Sequence, residues 1–361
     1  MKVGIVTIVD NTNYGNRLQN YAVYYILRKK IGCKATILVS YKEKAFYDGA
    51  YVAWIKNQIV KKLCVIPKLA EKRFGNTVTR WANFQNWSKL IPTKCFYSCS
   101  ELPQELNDKF DLFIAGSDQI WNYNFSSNKF DDYLLRFAES DKRNAISASF
   151  GVDILPDEWK ATFKEELKKF ENISVREEAG QAIIKDLLGY EVPVLIDPTM
   201  MLSKEEWLQV AKKPRVDCSK PYVLKYYLGD ENESDKIDVW AKKKGYEVYE
   251  LLNENIPELY SAGPGEFINL IDNASLVCSD SFHCIVFSII FSRPFLVYAR
   301  QGSENYMTSR LHTLLKKFGF EDRWKYMVQE ENYLKCDYSE VPLLLKKEQK
   351  MFMDYLSNVL K

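Results

Sequence analysis

Short apolar runs alternate along the chain with longer stretches whose apolar positions recur every three or four residues. VGIVTIV, close to the N-terminus, reads as a buried strand. The polar turn DNTNYG follows, and NRLQNYAVYYILRKKIG then places Leu18, Ala22, Tyr25, Ile26 and Ile31 at helical spacing before Gly32 closes the helix. KATILVS resumes as a strand. Such a β-loop-α-β unit implies a parallel sheet covered on both faces and puts the loop DNTNYGNR, with Gly15 and Asn16 just before the helix, at the sheet's functional edge.

Residues 41–100 interrupt the pattern with aromatic-rich helical pieces and the proline-bounded IPTKC, and read as an insertion overhanging a cleft. Strand and helix alternation returns with FDLFIAGSDQIW, RNAISASFG, PDEWKATFKEELKKF, ISVREEAGQAIIKDLL and a predicted strand in VPVLIDPTMM. A first α/β lobe is thus expected over residues 1–205. A second is expected over 215–325: PYVLKYYLG, YEVYELL, SLVCSD and PFLVYA as strands, and ENESDKIDVWAKKKG, PGEFINLIDNA, FHCIVFSII and YMTSRLHTLLKKFG as or containing helices. Residues 326–361 read as a polar helical tail. With two successive α/β lobes, the active site belongs between them, where strand ends and helix starts face each other.

Composition narrows the function classes. Fifty Lys plus Arg against 48 Asp plus Glu gives a net charge of +2 and no bulk case for a nucleic-acid partner. No apolar run approaches the roughly 20 residues that span a bilayer, and Met1–Lys2 leads straight into the first strand, so the chain is expected in the cytoplasm. The segment 54–73 carries Lys56, Lys61, Lys62, Lys68, Lys72 and Arg73 among apolar residues; it reads either as an ordinary amphipathic helix or as a peripheral contact with the inner face of a membrane. Of eight scattered cysteines only Cys95 and Cys99 are close in sequence, and neither has a nearby histidine, so no metal site is expected.

Neither G-x-G-x-x-G nor G-x-x-x-x-G-K-[ST] occurs, which leaves a dinucleotide fingerprint and a P-loop unsupported. Asn16 and Arg17, at the start of the first helix, could hold an anion, or the turn could be a simple Asn-capped one. In AGSDQIWN, directly after a strand, Ser117 and Asp118 present short polar groups and Trp121 a flat face; Asp118 either orients an acceptor hydroxyl or caps the next turn. Arg176, just beyond a strand, suits a carboxylate or phosphate, or a salt bridge to acidic neighbours. Asp280 or Ser281 is placed to cap FHCIVFSII, which puts His283 in the first turn of a helix at a strand's carboxyl end, where it could serve as acid or base or be a packed structural ring. His312, mid-helix, reads as structural.

The order and spacing of NYGNRLQNYAVYYIL, FIAGSDQIWN, SASFG, ISVREEAG, VLIDPTMMLS, GPGEFINLIDNASLVCSDSFHCIVFSIIFSRPF and SRLHTLLKKFG resemble the polysaccharide pyruvyl transferase family over residues 3 to about 320. The resemblance implies two Rossmann-like lobes facing a central cleft, GT-B-like, and transfer of the pyruvyl part of phosphoenolpyruvate to a sugar as a cyclic ketal, with no cofactor. It makes His283 the expected acid or base, Arg176 and Arg310 candidates for gripping phosphate or carboxylate, and Asn16 and Asp118 cleft-facing groups. The acceptor is expected to be a nucleotide-, lipid- or polymer-linked sugar. Several characterised members carry arginine two residues before the histidine where this chain has Ser281, so the donor is held from elsewhere or differs. A nucleotide-sugar glycosyltransferase and a noncatalytic carbohydrate-binding protein are the alternatives.

Overall fold

A computed structural model describes residues 1–10, 12–40, 67–96, 105–126, 129–229, 234–300 and 308–361. Most of the basic segment 54–73 lies outside them, and with it the expectation of a membrane contact. Among the described residues, no helix is long and apolar enough to cross a membrane.

Among the described residues, ten strands form two parallel sheets. The first contains β1 (Lys2–Val6), β2 (Lys34–Ser40), β3 (Thr93–Phe96), β4 (Leu112–Ala115), β5 (Arg143–Ala148) and β6 (Asn172–Val175), in the order β3-β2-β1-β4-β5-β6. The second contains β7 (Tyr222–Tyr226), β8 (Glu247–Glu250), β9 (Leu276–Ser279) and β10 (Phe295–Val297), in the order β10-β9-β7-β8. Each order reverses direction once, between β1 and β4 and between β7 and β9. Crevices open at the carboxyl ends of such strand pairs.

The main helices are α1 (Tyr14–Tyr25), α2 (Pro67–Ser88), α3 (Asp157–Leu167), α4 (Glu178–Leu188), α5 (Ser234–Lys244), α6 (Pro264–Asn273), α7 (Phe282–Ile290), α8 (Ser309–Phe318) and α9 (Val341–Val359). Side chains alternate across each strand, and the period of two sorts them into separate cores. Val3, Ile5, Ile37, Leu112 and Ile114 of the first sheet share one continuous core with Leu224, Val277, Phe295 and Val297 of the second. Helices α1, α6 and α7 contribute Leu18, Ala22, Phe267, Ile268, Val286 and Phe287 to it. Phe113 and Ala115 face a second core with Trp121, Phe150 and Phe163, while Val223, Leu276 and Leu296 face a third with Trp240. The two Rossmann-like lobes therefore meet through a shared apolar layer, in a GT-B-like arrangement.

One local expectation is corrected, and two other segments gain detail. The stretch VPVLIDPTMM pairs with β6 only through a single bridge, Val175 to Val194, before a short turn of helix over Pro198–Met201; Pro193 and Pro198 have no N–H to continue a ladder. Within 41–100, residues 93–96 are the edge strand β3 and α2 packs against the second lobe, where Asn83 Nδ2 donates to Ser261 O at 2.7 Å. The polar tail ends in α9, which turns back onto the first lobe: Tyr355 Oη donates to Ala145 O at 2.7 Å and Gln349 Nε2 to Met200 O at 2.7 Å. Phe352 and Leu356 enter the shared core beside them.

Because Phe352 is 2% exposed, Phe352→Ala is expected to lower the free energy of unfolding by about 3 kcal/mol through lost transfer energy and a residual cavity. Equilibrium denaturation measures it; a loss below about 1 kcal/mol, the range of surface changes, would mean that α9 only rests on the lobes.

Candidate active site

Four consecutive residues at the start of α1 point into different surroundings. The helix begins at Tyr14, so Gly15 and Asn16 lie in its first turn rather than before it, and Asn13 caps it by accepting from Asn16 N at 3.1 Å. Asn16 Nδ2 donates to Ile8 O at 2.8 Å and to Asp118 Oδ2 at 3.1 Å, while its Oδ1 accepts from Asp10 N at 2.7 Å. Gly15 lies against His283: a Cβ on it would stand 2.1 Å from Nδ1 and 2.5 Å from Cγ of that ring. Any side chain at 15 displaces the imidazole.

After β4 the chain turns sharply. Gly116 adopts φ +115°, and a Cβ there would fall 2.4 Å from Ile146 O. Asp118 follows with φ +74°, an uncommon conformation for a residue with a side chain. Arg176, one residue past β6, donates from Nη1 to Asp197 Oδ2 at 2.6 Å and from Nη2 to Asp118 Oδ1 at 3.3 Å. Asp197 Oδ1 accepts from Thr199 N at 2.9 Å and Thr199 Oγ1 at 2.6 Å. Its Oδ2 also stands 3.4 Å from His283 Nε2, close enough for an ion pair although the N–H direction is out of line for a hydrogen bond.

Charge follows from these contacts. Burial raises the Asp197 carboxyl, but His283, Arg176 and Thr199 outweigh it and hold the group far below the usual carboxylate range. Asp118 is likewise lowered, the cost of burial being overcome by Arg176, His283, Asn16 and Arg310. Glu177 moves the other way. Its Oε1 accepts from Ser149 Oγ, Phe150 N and Gly151 N at 3.0, 2.9 and 3.2 Å, yet burial dominates and raises it. Arg310, in the first turn of α8 and 5% exposed, makes no salt bridge with a described carboxylate; burial and the neighbouring Arg176 push it down to about 9. With the Gln119 amide turned so that its oxygen faces the guanidinium, both Nη atoms lie 3.2 Å from that oxygen. The Phe282 ring lies under both arginines, 4.6 Å from Arg176 Cζ and 5.6 Å from Arg310 Cζ.

Of the residues singled out from sequence, the structure brings Asn16, Asp118, Ser117, Arg176, His283 and Arg310 together. Ser117 is fully buried and donates to Asp197 Oδ2 at 3.4 Å. Arg176, expected to grip a ligand, spends its Nη groups on Asp197 and Asp118, not on its acidic sequence neighbours. Arg17 is buried along α1. Ser281 occupies the N-cap position of α7 but its side chain makes no capping bond, and Asp280 instead accepts from Leu228 N and Gly229 N at 2.8 Å each. Trp121 is fully buried, so it offers no face to a sugar. Missed altogether were Asp197, Phe282, Gln119 and the contact of Gly15; the Asp-Pro step after an apolar run was the one local signal for the first. Among the described residues, no group of three or more His, Cys, Asp or Glu could hold a metal ion.

Comparison with known proteins gives the arrangement a context. A family model described as polysaccharide pyruvyl transferase matches residues 13–302. No protein in the curated set matches the chain. A candidate UDP-N-acetylglucosamine 2-epimerase from Listeria monocytogenes shares the fold at a TM-score of 0.50 and 11% identity, over 97% of this chain and 90% of that one. UDP-GlcNAc 2-epimerase from Neisseria meningitidis, solved with UDP-GlcNAc, aligns at 0.45 and 12% identity over 99% and 100% of the two chains. HepE of Anabaena, solved with UDP and glucose, aligns at 0.47 and 10% over 99% and 100%.

Since the folded Asp197 and Asp118 titrate below their unfolded values, their stabilisation is complete above the ordinary carboxylate range, about pH 4, and is lost as pH falls through the lowered values. Asp197→Asn is therefore expected to cost about 3 kcal/mol at neutral pH by leaving Arg176 half-paired, and to flatten the acid limb of the stability curve. Urea titrations from about pH 3 to 7 test both, and an unchanged acid limb would place the linkage elsewhere.

Proposed function

Since the chain belongs to the polysaccharide pyruvyl transferase family and is a transferase, we propose that it transfers the pyruvyl group of phosphoenolpyruvate to a pair of hydroxyls on a nucleotide-, lipid- or polymer-linked sugar. The observation that carries this reading is a buried arginine that pairs with no described carboxylate, Arg310, beside a histidine backed by a buried carboxylate, His283 with Asp197.

The division of roles follows from the charges. Arg310 and the amides at the uncapped start of α7 take the donor's anionic groups. His283 gives a proton to the methylene carbon of phosphoenolpyruvate, which makes the adjoining carbon electrophilic, and Asp197 steadies the imidazolium before that transfer. An acceptor hydroxyl attacks that carbon and loses its proton. Departure of phosphate and attack by a second hydroxyl close the ketal, so of the two hydroxyl protons lost one balances the proton added to the new methyl group and the other leaves on the phosphate. Asp118, ionised and only 7% exposed, suits orientation of the acceptor hydroxyl better than strong proton abstraction, because its lowered pKa makes it a weak base. Nothing in these steps draws on a metal.

The test is phosphate release from phosphoenolpyruvate with a panel of nucleotide- and lipid-linked sugars, with mass analysis of products. Acceptor-dependent release and a pyruvylated sugar are expected, with His283→Asn slower by about a hundredfold or more. The donor KM is expected to be at least tenfold higher in Arg310→Met, which keeps the buried volume and removes the charge. Turnover of a nucleotide sugar instead of phosphoenolpyruvate would mean that Ser281 marks a changed donor; saccharide binding without turnover would make the protein noncatalytic.

A further inference from the structure

We propose that Arg80 and Tyr14 are positioning residues: a latch between the lobes that sets the imidazole of His283 through the backbone of Gly15. The role assigned to His283 rests on the pyruvyl-transfer reading, but its placement does not.

Arg80 belongs to α2, inside the segment that interrupts the strand pattern, and it is 6% exposed with no salt bridge to any described carboxylate. Its guanidinium bonds uncharged groups of both lobes. Nη2 donates to Thr12 O at 2.8 Å, in the loop that follows β1; Nη1 donates to Tyr14 Oη at 2.6 Å and to Tyr260 O at 3.1 Å, just before α6. Tyr14 Oη in turn donates to Ala262 O at 2.8 Å. The Tyr14 ring, fully buried, reaches from the first lobe into the second, stacked on Phe267 at 4.6 Å and 11° and edge-on to Tyr226 at 5.5 Å. Arg80 Cζ lies 4.6 Å above the Tyr14 ring and 4.8 Å above Phe84.

A buried arginine satisfied by backbone carbonyls fixes the path of the chain at each of them, because its donors have a rigid planar geometry. Here the fixed points are Thr12, Tyr14 and the turn 260–262. Gly15 comes next in the chain and lies flush against His283, and Asn16 after it holds Asp118. Releasing Arg80 or the Tyr14 hydroxyl removes the polar bonds that fix the first turn of α1 against the second lobe and leaves only the Tyr14 ring's apolar contacts, along which the turn can shift. The imidazole then loses its backstop and its 3.4 Å approach to Asp197 together. Neither Arg80 nor Tyr14 is placed to touch a reacting atom.

Two readouts test the latch. The chain has two histidines, so isotope labelling of histidine gives two imidazole signals, assigned with His312→Gln. Arg80→Met and Tyr14→Phe are expected to shift the His283 signal and leave that of His312 in place; Gly15→Ala, which forces the ring to move, sets the scale. In turnover, Arg80→Met is expected to lower kcat about a hundredfold, the usual cost of a displacement near 1 Å, while the phosphoenolpyruvate KM changes less than about threefold. The double variant is expected to lose little beyond Arg80→Met alone, since both act through one set of bonds. Should Arg80→Met fold poorly, Arg80→Lys and Tyr14→Phe remove only part of the bond set and carry both measurements. An unmoved His283 signal in folded variants, or a loss of kcat that merely tracks the unfolded fraction, overturns the latch. If wild-type protein turns over no phosphoenolpyruvate, the functional reading fails and the imidazole signals alone decide the latch.

Discussion

One oxygen, Oδ2 of Asp197, takes a guanidinium from its own lobe at 2.6 Å and faces an imidazole of the other lobe at 3.4 Å. Whatever fixes the two lobes relative to each other therefore acts on this atom. Buried charges do not hold lobes together cheaply: desolvation costs several kcal/mol per ion, and the attraction returns that only when geometry and further hydrogen bonds are good. Asp197 meets this condition through Thr199, Ser117 and Arg176. The docking itself rests on the continuous apolar layer through α1, α6 and α7, and the ion cluster is sustained within that frame.

The start of α1 shows how so much can be placed by so few residues. Successive helical residues radiate about 100° apart, so four in a row cover the whole circle. Asn13 turns to the helix's own amides, Tyr14 to the second lobe, Gly15 to His283 and Asn16 to Asp118. The residue types follow from the directions: a capping amide, a large ring with a polar end, no side chain, and an amide that can donate and accept at once. The second lobe answers with α7, apolar on all sides and nearly all buried, whose first turn presents Phe282 to the arginines and His283 to the carboxylate.

Sequence reading succeeded where one local pattern decides the outcome. The bounds of α7 agree with FHCIVFSII because continuous apolarity makes it a central helix and polar residues stand at its start. Strands β1, β2, β7 and β9 coincide with short apolar runs between turn signals. Reading failed where the deciding partner is remote. VPVLIDPTMM has strand-like composition, but two prolines limit its pairing, and its aspartate matters because of residues in two other segments. The apolar residues of α9 recur at helical spacing among lysines and glutamates, and only its packing reveals that the tail returns to the first lobe. Arg80 gave no signal at all, since its partners are backbone carbonyls that any sequence carries and one tyrosine hydroxyl remote in the chain.

The two central arginines sit in different electrostatic surroundings, and burial alone does not distinguish them. Burial lowers Arg176, but Asp197 and Asp118 outweigh it and leave the guanidinium more firmly charged; Arg310, under the same desolvation and beside Arg176, has no such partner among the described residues and is weakened. A cation already neutralised within the fold has little to offer an incoming anion, whereas one held charged against its environment gains most when an anion arrives. Ser281 bears on the same balance. Its side chain makes no capping bond, which leaves the start of α7 uncapped next to the Phe282 ring and the two arginines that face it. Asp197 in turn stays ionised against its burial because His283 and Arg176 both face it.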